Sequence, residues 1–316
     1  MFKFILKKLS LALATLWVIA TVTFFLMHAI PGDPFASEKK VPPLVKAKLM
    51  EKYQLDKPLI VQYGNYIQNV FLKGDLGISM KIRGRKVNKM IANNFSKSFT
   101  LGIIAMGVSL AVGLPLGTYA ALHRGKAKDS LAMFLAIIGI SIPSFIVAGT
   151  LQWIVVIIKQ QTGNSILPIT GWGEPKHLVL PVIALSASPI AVIARMMRAS
   201  MIEVLGMDYV RTARAKGVSY MAIVMKHNVR NAILPVITYL GPLFAAITTG
   251  SFVVESIFSI PGLGKYFSTS IIDKDYTVTL GVTVFYAALL ILSILIVDIL
   301  YGLVDPRIRD GKKRSA

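Results

Sequence analysis

Residues 11–30 read LALATLWVIATVTFFLMHAI, a run with no Asp, Glu, Lys or Arg, behind a start, MFKFILKKLS, that carries three lysines. The apolar core of a secretory signal peptide runs to only about 7–15 residues. This run is longer, and no convincing small-x-small cleavage pattern follows it, so a retained membrane anchor is expected. The same feature recurs along the chain: stretches free of Asp, Glu, Lys and Arg cover 9–32, 98–123, 130–158, 177–194, 231–254 and 276–297. Each reaches the roughly 18–20 residues that a helix needs to cross the hydrocarbon core. Backbone amides in lipid must be satisfied inside the segment, so the runs are read as helices rather than strands. The expectation is an all-α polytopic membrane protein with six transmembrane helices.

Composition agrees. Of the 316 residues 54% are hydrophobic and 16% charged, and the charge is basic, with 35 Lys+Arg against 15 Asp+Glu. A soluble nucleic-acid binder of this net charge would be far richer in charge overall. There is no cysteine, which excludes disulfides, thiolate metal sites and cysteine nucleophiles. His28, His123, His177 and His227 are far apart and make no spaced ligand pair. No catalytic, cofactor-binding or metal-binding set is therefore expected.

The basic residues set an orientation. With both termini in the cytoplasm, the short cytoplasmic segments hold eighteen Lys/Arg and the short outer loops 159–176 and 255–275 hold four. That is the asymmetry the positive-inside rule requires. Another thirteen lie in 33–97, which this topology places outside and which is long enough to translocate regardless of charge. The chain then divides into helix 1 (1–32), a small extracellular segment (33–97), a core (98–305) with a cytoplasmic loop at 200–230, and a basic cytoplasmic tail (306–316). Within the extracellular segment a helix is expected after Pro58, with Ile60, Tyr63, Ile67, Val70 and Phe71 on one apolar face. It either meets an extracellular partner or lies against the membrane domain. Gly74, Asp75 and Gly77 supply turn chemistry after it.

The centres of the six spans lack ionisable groups, whereas ion-coupled transporters and many channels place Asp, Glu, His or charged rings there. The spans hold instead Pro115, Pro143, Pro181, Pro189 and Pro242, and the pair Gly113 and Gly117. Kinked, closely packed helices are expected, with Pro143, Pro181, Pro189 and Pro242 as candidate kinks or gate elements. Energy for uphill transport would have to come from another subunit. The nearest approach to a phosphate-binding loop, PGLGKYF at 261–267, has Ser259 for the first glycine and Tyr266 for the magnesium-binding Ser/Thr.

Between two apolar runs lies RTARAKGVSYMAIVMKHNVRNAILP, Arg211 to Pro235, with five Arg/Lys and no acid. Gly217 suits a tight turn between two short helices. The stretch resembles the cytoplasmic loop of bacterial ATP-binding cassette importer permeases, in which the sequence EAA is followed three residues later by Gly. Here those positions are Arg211, Thr212, Ala213 and Gly217, so only the last Ala and the Gly match. The proline that should follow by thirteen residues is Arg230, and Pro235 comes later. The wider chain carries the resemblance: PGDPF (31–35), GDLGIS (74–79), DYVRTARAKG (208–217), RNAILPVIT (230–238), FVVESIFSIPGLGKYF (252–267) and VDILYGLVDPRIR (297–309) look like a peptide importer permease of the oligopeptide-permease B type, whose loop is usually divergent. The resemblance implies the type I importer permease fold in the bacterial plasma membrane. It also implies a second homologous permease, two cytoplasmic ATPases and an extracellular or periplasmic peptide-binding lipoprotein. The loop would seat in an ATPase groove, with Thr212, Ala213, Ala215, Gly217 and Val218 as packed contacts and Arg211, Arg214 and Lys216 at the rim. A related importer for nickel, metal chelates or other solutes stays open, since the same fold carries these.

Overall fold

The computed structural model describes residues 2–32, 34–35, 42–164, 166–248 and 252–304; the basic tail 306–316 lies outside them. The chain forms α1 (Phe2–Ala29), α2 (Pro43–Lys52), α3 (Leu59–Lys73), α4 (Val87–Leu122), α5 (Ala127–Ser141), α6 (Ser144–Thr162), α7 (Lys176–Leu205), α8 (Asp208–Ala215) and α9 (Tyr220–Ala222). A π-helical turn (Ile223–Asn228) follows, then α10 (Val229–Ala232), α11 (Leu234–Thr248), α12 (Phe252–Ile257), α13 (Gly264–Ile272) and α14 (Tyr276–Val304). Among the described residues, six stretches are long and apolar enough to span: Leu6–Ala29, Val87–Leu122, Ser144–Thr162, Lys176–Leu205, Leu234–Ile257 and Tyr276–Asp298.

The number of spans is the one expected, but two boundaries move for physical reasons. The run 130–158 is not one helix. A proline disfavours the helical region for its predecessor, and here Ile142 (ψ 119°) and Pro143 (φ −57°, ψ 141°) are both extended, which separates α5 from α6. Pro143 therefore breaks the run rather than kinking it. In the other direction, α7 continues past 194 to Leu205, because Arg195, Arg198 and Glu203 end an uncharged run without ending a helix.

Two compact units are present. The first takes the described residues within 1–98 and 261–292, the second those within 99–260 and 293–304. In the second, α7 packs against α5, α6 and α11. Its buried face runs through Leu180, Ala184, Ala191, Ile193, Met197 and Met201. Glycines bring backbones together here: a Cβ on Gly113 of α4 would lie 2.9 Å from Ile193 Cβ, and one on Gly117 would fall on the Ala194 carbonyl oxygen. On α5, a Cβ on Gly139 would sit 3.0 Å from the Ala187 oxygen. These are the small-residue contacts through which membrane helices associate. Polar clasps add to them. Arg198 donates from Nε and an Nη to the two Asp129 carboxylate oxygens at 2.6 and 2.7 Å. Gln152 donates to the Ile169 and Ile257 carbonyls at 3.0 and 2.9 Å. The Arg198 hydrogen bond holds the Asp129 carboxyl down at about 2 against the opposing effect of burial, with the Gly125 N–H and nearby Arg124 adding to the shift.

In the first unit, Phe24 of α1 stacks on Tyr66 of α3 and meets Tyr63 edge-on. Helix α3 is the one expected after Pro58, and Gly74 caps it in the left-handed region (φ 61°). Its contact face differs in part from the expected one, since Tyr63 and Tyr66 meet α1 while Ile60 is 70% exposed. Asp275 caps α14, accepting from the Val278 N–H at 3.2 Å as an N-cap carboxylate does. The same buried carboxylate accepts from Ser79 Oγ (2.5 Å), Met80 N (3.1 Å) and Lys81 N (3.2 Å), which ties the 79–81 turn to the start of α14.

Candidate functional site

The segment 208–232 shows how a short sequence makes a presented surface. Helix α8 is held at its start by Val210, which is 1% exposed, and by Tyr209, whose hydroxyl accepts from Asn231 Nδ2 at 2.9 Å. Its end is a Schellman motif. The Gly217 N–H donates to the Arg214 carbonyl (2.9 Å) and the Val218 N–H to the Ala213 carbonyl (3.2 Å), with Gly217 at φ +76°. That conformation strains a residue with a Cβ, so glycine at 217 is explained by backbone geometry alone.

Of the residues singled out in this loop, Arg211, Thr212, Arg214, Ala215, Lys216, Gly217 and Val218 are exposed and Ala213 is half-buried. The structure thus brings them together on one free surface. A Cβ at Gly217 would meet nothing within 4 Å in this chain, so any crowding there would come from a partner. Arg214 lies over the Tyr220 ring at 5.7 Å, and Arg211 pairs loosely with Asp208 at 3.6 Å. Beside the expected contact Val218 stand four large side chains that the sequence reading does not single out, Met207, Tyr220, Met221 and Met225. Met207, Val218, Tyr220, Met221 and Met225 are 38–63% exposed. Their signal was available in the sequence, as methionines clustered within a polar loop, a composition suited to adaptable contact.

Behind this surface the chain widens into the π-helical turn, a rare geometry that is frequent at functional sites. Asn228, at 0% exposure, sits at its end with neither side-chain polar atom hydrogen-bonded. The flagged prolines are dispersed. Pro181 and Pro189 are buried inside α7, Pro242 is exposed inside α11 and Pro143 precedes α6. Among the described residues, no group of three or more His, Asp or Glu gathers as a metal site would require.

This architecture of six spans with a capped, solvent-facing helix between the fourth and fifth agrees with comparison to known proteins. The family model for the binding-protein-dependent transport system inner membrane component matches residues 113–310, and the model for that component's N-terminal part matches 1–98. The chain belongs to this family, and is a permease of an ATP-binding cassette importer and a multi-pass protein of the bacterial plasma membrane.

It is 47% identical over 314 residues to the dipeptide transport system permease protein DppB of Bacillus subtilis, a match that covers 99% of this chain and 100% of the relative. It is 44% identical over 311 residues to the oligopeptide transport system permease protein OppB of Haemophilus influenzae, covering 98% and 100%. Among solved structures, an inward-facing form of the MetNI methionine ABC transporter aligns with a TM-score of 0.55 at 20% identity, over 68% of this chain and 96% of that one, which shows the shared fold. The named relatives are permease proteins, which fits a chain that is not itself an enzyme.

Proposed function

We propose that this chain forms half of the translocation pathway of an ATP-driven peptide importer that takes oligopeptides. A second, homologous permease supplies the other half. Two cytoplasmic ATPases drive the cycle, and an extracellular or periplasmic lipoprotein delivers peptide. Both termini lie in the cytoplasm, as the excess of Lys/Arg in the short cytoplasmic segments requires. The substrate class rests on full-length identity to dipeptide and oligopeptide permeases.

The observation that carries the coupling role is the exposed, Schellman-capped α8–Gly217 turn beside an apolar patch. A rigid turn rooted by Val210 and Tyr209 transmits displacement to the helices behind it, whereas a floppy loop would absorb it. ATP-driven closure of the two ATPases would move the paired turns and convert the pathway from inward to outward access. Thr212, Ala213, Ala215, Gly217 and Val218 make the packed contacts. Arg211, Arg214 and Lys216 steer orientation from the rim, where charges govern encounter more than affinity. An extended peptide presents mostly backbone, so a tolerant pathway needs few charged groups, which suits spans without central charges.

The test is Gly217→Val. A β-branched residue at φ +76° is strained by about 1–2 kcal/mol and adds bulk at the ATPase contact. The variant should insert and fold, yet assemble poorly with the ATPase or hydrolyse ATP without uptake. Single cysteines at Ala213 or Val218 should cross-link to the ATPase groove in a nucleotide-dependent way, which the absence of natural cysteine makes clean. Normal uptake by Gly217→Val with no cross-link from either position would refute the coupling role.

A further inference from the structure

The first unit holds a half-open cavity of about 340 Å³ that transport through the membrane does not explain. Its volume lies at the lower end of the range for small-molecule sites. Helix α3 contributes Gln62, Asn65, Tyr66 and Asn69, at i, i+3, i+4 and i+7, so one whole face of the helix looks into it. A face turned inward for packing alone would be apolar. This one carries three amides and a phenol.

Gln62 is bonded at both ends of its amide, to His28 Nε2 at 3.3 Å and to the Lys57 carbonyl at 2.8 Å. Asn65 Nδ2 donates to Gln54 Oε1 at 2.5 Å, and both residues are half-buried. The Tyr66 hydroxyl is buried and has no hydrogen-bond partner among the described residues. Burial, with Tyr63 beside it, pushes the Tyr66 phenol well above the usual tyrosine range, so it stays a neutral donor. A buried, unpaired polar group costs about 1–3 kcal/mol, so the hydroxyl of Tyr66, set in a half-buried face of amides that lines the cavity, points to a ligand that completes it. The lining is also aromatic, with Phe24 stacked on Tyr66 at 5.4 Å and Tyr276 among the lining residues, and Asp75 and Lys52 bring one charge of each sign to it.

We infer that this cavity binds a short stretch of extended peptide. Amide donors and acceptors in one wall match the alternating N–H and C=O groups of a peptide backbone. The aromatic lining accepts a side chain, and the two charges suit the two ends of a zwitterion. The inference rests on the proposed peptide importer and adds to it a peptide-holding site in the segment assigned to the outer side. The same chemistry would be presented by a free peptide or by an extended loop of the binding protein.

The test uses the full-length chain in nanodiscs and the tripeptide Ala-Phe-Ala as probe. Binding should be saturable. Tyr66→Phe should weaken it about three- to tenfold, as expected for the loss of one hydrogen bond. A purely structural phenol would give the reverse, since removing an unpaired hydroxyl should leave binding unchanged and stability equal or higher. Asn65→Leu is the second variant and should weaken binding similarly. A photo-cross-linking residue in place of Lys52, in the assembled importer, separates the sources: a free-peptide site captures the tripeptide, and a docking site captures the binding protein. Equal affinity in wild type and both variants, or capture of neither, would overturn the inference. ATP-driven uptake is measured on the same assembled preparation. Intact uptake with unaltered variant binding refutes only the cavity, and absent uptake with variant-sensitive binding refutes only the importer reading.

Discussion

Gly117→Ala adds one carbon at the α4–α7 seam, and the structure says where it goes. The new Cβ would fall on the Ala194 carbonyl oxygen, 2.8 Å from Met197 Cβ and 3.0 Å from the Ala194 carbonyl carbon. None of these atoms is the end of a flexible side chain, so relief requires α4 to back away from α7. Overpacking of this kind costs about 1–3 kcal/mol, and the better helix propensity of alanine returns at most about 1. Because the obstacle is backbone, the cost falls in the upper part of that range, and a net loss of about 1–2 kcal/mol is expected, a five- to thirtyfold shift in the folding equilibrium. Gly107, on the same helix, has nothing within 4 Å of its would-be Cβ, so Gly107→Ala should gain up to about 1 kcal/mol. Reversible unfolding in mixed detergent micelles measures both. If Gly117→Ala proves as stable as wild type, or shifts in the same direction as Gly107→Ala, the close approach of the two backbones is not there.

Asp129→Asn should destabilise the fold by about 1.5–3 kcal/mol, the range for hydrogen bonds to a charged group. Because the native carboxyl titrates near 2, below its usual value of 3.8, its contribution is complete above about pH 4 and is lost as pH falls toward 2, so the difference from wild type should be flat between pH 5 and 8. Asn228→Leu removes two buried, unpaired polar atoms and should leave stability unchanged or raise it by about 1–3 kcal/mol; a clear loss in chemical denaturation would show that the amide has a partner. Asp275→Ala should cost about 2–4 kcal/mol through the lost N-cap and the released 79–81 turn, seen as faster proteolysis near Ser79.

The six spans were legible because charge is excluded from hydrocarbon, and counting charged residues detects that exclusion. It cannot detect backbone direction, so the break at Ile142–Pro143 inside a charge-free run was read as a kink, and the charged last turns of α7 were read as loop. The turn at Gly217 was legible because few residues accept φ +76°. The clasps were not. Arg198 and Asp129 are 69 residues apart, and Ser79 and Asp275 are 196 apart, so no local pattern marks them as partners. The cavity was hidden for a related reason. The apolar stripe of α3 drew the eye to Ile60, while its chemistry lies on Gln62, Asn65, Tyr66 and Asn69.

Helix α7 also has a history implied by its place in the chain. It is as greasy as a lipid-facing span, yet its buried face ends up against protein. During synthesis it can enter the bilayer on its own merits as a single hydrophobic segment, and only afterwards exchange lipid for neighbours. Its most extensive contacts, with α5 and α6, and its contact with α4 are to helices that precede it, while the π-helical turn, α10, α11 and α12 follow. A nascent chain released after Leu205 therefore already contains most of the groove that receives α7. A chain lacking α4 to α6 would strand α7 with Arg198 unpaired, a lesion that membrane quality-control proteases are suited to recognise.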